Sequence, residues 1–99
     1  MRQEAALLRE ARDSAELTNA VGLHARPSVK LTQLAKGFGA RIEVSTSADG
    51  PWTDAKSLVK IMRIKAVQGE TLFVRAHGAD AVMAVNAVTD LIRRNFGED

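Results

Sequence analysis

Apolar residues along this chain repeat with two different periods in turn, and that alternation limits what the chain can become. Leu31, Leu34, Ala35 and Phe38 recur at helical spacing, which predicts one buried stripe on a helix. Ile42-Glu43-Val44-Ser45-Thr46 then alternates apolar with polar, the pattern of a half-buried strand. Leu72, Val74 and Ala76 alternate with Thr71, Phe73 and Arg75. Both sets contain apolar side chains, so this strand is expected at the centre of a sheet. Ala81, Val85, Val88 and Ile92 return to helical spacing, and Leu91 and Phe96 extend that face. Gly37 and Gly39 stop the first helix, and Ala48-Asp49-Gly50-Pro51 and Gln68-Gly69-Glu70 read as turns. A first strand is expected over residues 15–19, a short returning strand at Trp52 and Thr53, and a short helix over residues 57–65 with Leu58, Ile61 and Met62 inward. Asp80 stands where it can cap the last helix.

The order strand, helix, two strands, helix, strand, helix makes an α+β domain. Four strands and three helices suit a sheet with one face covered by helices and the other nearer solvent. Pattern alone also allows a ferredoxin-like sandwich. At 99 residues, 45% of them hydrophobic, the chain suits one small domain with a modest core. Residues 1–13 are rich in Ala, Leu, Arg and Glu and read as an N-terminal extension, helical or disordered; residues 14–99 form the domain.

Charge and composition exclude several functions. Fourteen Lys and Arg against twelve Asp and Glu leave a formal charge of +2, and aromatic residues make up 4%. Both argue against a nucleic-acid-binding module. No cysteine is present, so no disulfide or thiolate chemistry is available. No apolar run has the length of a membrane span, and the first ten residues lack the apolar core of a signal peptide; a cytoplasmic location without membrane insertion is expected. Two distant histidines, His24 and His77, without supporting carboxylates predict no metal site, and nothing calls for a cofactor. His77 reads as structural or merely exposed.

One octet carries chemistry: Gly22-Leu23-His24-Ala25-Arg26-Pro27-Ser28-Val29. It sets a histidine just before a helix, with Pro27 suited to the first helical position. Imidazole is a nucleophile near neutral pH. A helix start offers free N–H groups to an anion, and Arg26 adds a full positive charge. Together they describe a histidine that accepts a phosphoryl group and has its charge compensated. Gly22 is either a backbone special or an ordinary loop glycine.

The octet resembles the active-site signature of the HPr family, the histidine phosphocarriers of the bacterial phosphoenolpyruvate-dependent phosphotransferase system. A second segment, Asp54-Ala55-Lys56-Ser57-Leu58-Val59-Lys60-Ile61-Met62, is similar to that family's regulatory-serine segment. The likeness runs over residues 14 to 96, and two motifs in order are far more specific than one. It implies the HPr-like open-faced β-sandwich, a four-stranded antiparallel sheet covered on one face by three helices in βαββαβα order. It also implies phosphate on Nδ1 of His24, a choice of nitrogen that the residues alone leave open. Arg26 is then the compensating charge, and Gly22 and Pro27 are geometric supports.

The resemblance further implies enzyme I as phosphate donor and EIIA domains of sugar transport as acceptors, in a carrier rather than a conventional enzyme. Ser57, a common helix N-cap type, corresponds to the serine that HPr kinase/phosphorylase modifies in some bacteria. Leu58, Val59 and Met62 with Lys56 and Lys60 form the expected docking patch, apolar and rimmed by charge. The chain departs from the family in being more basic at Lys60, Arg63 and Lys65, and in carrying Val29 after the motif. Those departures leave partner identity open, and a paralogue serving a nitrogen-regulatory or dihydroxyacetone-kinase branch is the runner-up; a non-catalytic docking regulator of the same fold is a further alternative, against which the intact His24 and Arg26 argue.

Overall fold

A computed structural model describes residues 9–98. The strands are β1 (Glu10–Glu16), β2 (Arg41–Ser45), β3 (Thr53–Asp54) and β4 (Thr71–His77), and the helices are α1 (Ala25–Lys36), α2 (Leu58–Ile64) and α3 (Ala81–Arg93), followed by a 3₁₀ turn over Asn95–Gly97. All pairings are antiparallel, in the order β1-β4-β2-β3. The βαββαβα order, the one-sided helical layer and the central place of β4 are as the periodicity predicts.

Period two explains the two-layer build. Leu72, Val74 and Ala76 of β4 are buried, and Thr71, Phe73, Arg75 and His77 are half-buried on the opposite side. Ile42 and Val44 of β2 join the first set, and Leu31 and Ala35 of α1, Ile61 of α2 and Val85, Val88 and Ile92 of α3 close over it. Phe96, 1% exposed, plugs the end of this core from the 3₁₀ turn. On the open face Trp52 lies under the Arg75 guanidinium, 4.2 Å from ring centroid to Cζ, and Arg75 Nε donates to Glu43 at 2.8 Å. A cation against an aromatic face and a paired carboxylate let that side of the sheet meet water without a second helical layer.

Three local expectations are corrected. The first strand is Glu10–Glu16, not residues 15–19. Residues 10–13 therefore belong to the sheet rather than to a helical or disordered extension; residues 1–8 lie outside the described residues. Ala11, Arg12 and Glu16 favour helix in isolation, but β4 offers a full ladder from Glu10↔His77 to Glu16↔Thr71, and pairing overrides weak propensity. The returning strand is Thr53–Asp54, with Trp52 just before it.

Asp80 precedes α3 but its carboxylate caps nothing there. It accepts from the N–H groups of Gly39 at 2.9 Å and Ala40 at 2.8 Å, tying the exit of α1 to the entry of α3. Those hydrogen bonds, Gly39 foremost, lower the Asp80 carboxyl below its ordinary value of 3.8. A carboxyl depressed by folding stabilises the native state above its unfolded pKa, and that contribution disappears as pH falls through the lower folded value. Urea titrations should thus show stability dropping below about pH 4, and Asp80→Asn should lower the midpoint at neutral pH and flatten this acid dependence.

Candidate functional site

The loop over residues 17–24 is sewn to the chain leaving α2. Leu17 N donates to Glu70 O and Gly69 N to Leu17 O, both at 2.8 Å. Leu23 N donates to Ala66 O at 3.0 Å, and the Leu23 side chain is buried. Asn19 Nδ2 holds Gly22 O at 2.9 Å, and Ser28 Oγ, itself buried, reaches back to Leu23 O at 3.0 Å. Gly22 is a backbone special: its φ is +59°, and a Cβ there would lie 2.4 Å from Ala66 O and 2.9 Å from Val67 Cα.

This clamp delivers His24 as the N-cap of α1, with φ −74° and ψ −175°. Its ring makes no capping bond and the residue is exposed. Its carbonyl accepts from Ser28 N at 3.0 Å, so the helix is anchored through the backbone and the imidazole is left for other work. Pro27 is the third helical residue, not the first, because α1 opens at Ala25. The tolerance holds for the same reason, since no N–H of the first turn has an intrahelical acceptor. Only the amides of Ala25 and Arg26 therefore face an anion at this helix end.

Arg26 is on the same first turn, its side chain 77% exposed and its Nε 3.7 Å from Glu98 Oε2. Lys30 Nζ lies 3.1 Å from the same oxygen and donates to Phe96 O at 2.9 Å. An ion pair this long and this wet holds Arg26 loosely. Lys30 and Glu98 were not singled out from sequence, because nothing local in residues 94–98 signals that the chain returns to the start of α1.

Beside the imidazole runs a shallow groove lined by Val21, Leu23, His24, Met62, Lys65 and Val67. Val21, Met62 and Val67 are 55%, 40% and 59% exposed, an apolar rim around a nucleophile. The structure divides the expected docking patch. Met62 borders the groove, contrary to its expected inward position, and Ile61 alone of α2 is buried. Val59 is exposed and Leu58 half-buried. Lys56 Nζ is tied to Phe38 O at 2.7 Å, and Lys60 lines a different cavity on α2. Ser57 is the N-cap of α2, as its type predicts, its Oγ accepting from Lys60 N at 3.4 Å. Val21, Lys65 and Val67 join the groove only through the fold; Lys65 ends α2 in the left-handed region, φ 56°. Among the described residues no cluster of His and carboxylates is placed to hold a metal, and no helix is long and apolar enough to cross a membrane.

The family model for the PTS HPr component phosphorylation site matches residues 11–94. The chain belongs to the HPr family. It is 40% identical to phosphocarrier protein HPr of Cupriavidus necator over 82 residues, 83% of this chain and 90% of that one. It is 32% identical to phosphocarrier protein NPr of Escherichia coli K12 over 88 residues, 89% and 97% of the two chains. A crystal structure of HPr-C-His from Thermoanaerobacter tengcongensis superposes with a TM-score of 0.82 at 36% identity, covering 90% of this chain and 98% of that chain. Membership bears out the family resemblance and the open-faced sandwich, in preference to the ferredoxin-like alternative.

In this HPr-family chain the placement of the histidine hangs on Gly22. Gly22→Ala should cost about 2 kcal/mol or more, since it joins left-handed strain to a backbone clash. Thermal melting checks this: the variant should melt several degrees lower, and amide exchange should rise first at Leu23 and Ala66.

Proposed function

We propose that this chain is a phosphocarrier that takes a phosphoryl group onto Nδ1 of His24 from phospho-enzyme I and passes it to an EIIA-type domain. The observation that carries the reading is an exposed imidazole at a helix start, unused for capping, in a chain of a phosphocarrier family. In the transfer the Nδ1 lone pair attacks phosphorus in line, and the bond from phosphorus to the donor breaks with its electron pair returning to the donor. Nδ1 must be unprotonated, so the ring proton sits on Nε2. The nonbridging oxygens meet the amides of Ala25 and Arg26, and the Arg26 guanidinium leaves Glu98 for the phosphate. The groove with Met62 and Val67 excludes water as the partner docks. No step is left without an acceptor: the phosphohistidine N–P bond is itself a good donor for the next partner.

Ser57 adds a regulatory reading. A phosphate on its Oγ would set a dianion at the start of α2, against the surface where partners dock. The nitrogen-regulatory branch is the second functional reading, favoured by the similarity to NPr. Both branches run on the same histidine, and both place the protein in the cytoplasm.

Incubation with enzyme I and labelled phosphoenolpyruvate should label the wild type with a product stable in base and labile in acid. His24→Ala should fold with unchanged melting yet take no label; normal labelling of it overturns the assignment. Arg26→Ala should retain labelling but slow it by about 10²-fold, the usual effect of losing one preorganised charge. Comparing a sugar-type with a nitrogen-type enzyme I as donor separates the branches by rate.

A further inference from the structure

The cavity on α2 that includes Lys60 is separate from the groove at His24. Ser45 and Thr46 at the end of β2, Thr53 of β3, and Lys60 and Arg63 of α2 line it, and none of its lining residues is acidic. Lys60 and Arg63 are three apart on a helix and share a side. Arg12, Arg26, Arg75, Arg93 and Arg94 each lie beside a carboxylate. Among the described residues Lys60 and Arg63 pair with none. Ser45 is 3% exposed, and its Oγ accepts from Ser47 N at 3.0 Å, which leaves its hydroxyl hydrogen to donate. Two uncompensated cations facing three hydroxyls suit a ligand with several acceptor oxygens and more than one negative charge. A carboxylate offers only two oxygens and one charge.

We propose that this cavity binds the phosphate group of a small soluble phosphate monoester. The site stands apart from His24, so it holds whether or not the phosphocarrier reading does. If both hold, occupancy removes positive charge from α2, whose Met62 and Lys65 border the groove beside His24, and so alters what a docking partner meets.

Amide chemical shifts of the labelled full chain, followed during addition of inorganic phosphate and of glycerol 2-phosphate at constant ionic strength, test this. Saturable shifts at Thr46, Thr53, Lys60 and Arg63 are expected, with a dissociation constant on the order of millimolar. Acetate should give no saturation. Lys60→Gln with Arg63→Gln should weaken binding about tenfold or more while leaving any response at Ala25 and Arg26 in place. Thr46→Ala should also weaken it without changing charge. Shifts confined to Ala25 and Arg26, equal saturation by acetate, or affinity unchanged in either variant would overturn the site.

Discussion

The approach of Gly22 to Ala66 is the contact on which the rest of the site depends. Here the backbone before α1 and the backbone after α2 come closer than any side chain allows, and Leu23 N then bonds Ala66 O. This places the end of one helix beside the beginning of another. The imidazole of His24 and the apolar rim of Met62 and Val67 become neighbours through it, although they are far apart in sequence. His24 and the groove's apolar rim are thus held in register mainly by backbone contacts, with Asn19 and Ser28 as the side chains that help, which leaves the imidazole, Met62 and Val67 themselves exposed.

How the histidine is held also bears on what it can do. A side chain that capped its own helix would have to give up a hydrogen bond before reacting. Here Ser28 N takes the His24 carbonyl instead, and Ser28 Oγ secures the preceding residue. The small buried serine after Pro27 thereby fixes the backbone on both sides of the histidine, while the amides of Ala25 and Arg26 stay uncapped. Arg26 is held in the same loose way, by a long contact to Glu98 shared with Lys30, so the charge that would meet a phosphate is kept near without being locked.

The layers of this fold were legible because burial is periodic. The inward set of β4 and the stripes of α1 and α3 repeat without interruption, and the octet around His24 is local, so its place at a helix start could be read directly. What sequence did not reveal is non-local. β1 carries residues that favour helix, and only the ladder offered by β4 makes Glu10–Glu16 a strand. Asp80 looks like a cap by position, yet it serves the amides of Gly39 and Ala40, 41 and 40 residues upstream in sequence, rather than those of its own helix. Gly22 was ambiguous for the same reason, since its φ and its neighbour Ala66 O are properties of the packed chain.

The basic residues in and around α2 illustrate why a residue count is a poor guide to a surface. Read along the sequence, Lys56, Lys60, Arg63 and Lys65 form one patch. In space they part: Lys56 closes the end of α1 through Phe38 O, Lys65 borders the groove at His24, and Lys60 and Arg63 line a cavity with hydroxyls at the ends of β2 and β3. Lys56 stands before α2 and Lys65 closes it in a left-handed turn, so of the four only Lys60 and Arg63, three apart on the helix, share a side. The formal excess of two charges over the chain is therefore not spread as a general attraction for anions. Among the described residues Lys60 and Arg63 meet no carboxylate, and they lie on the helix whose Met62 borders the groove beside His24, so local placement rather than net charge sets what an approaching anion meets there.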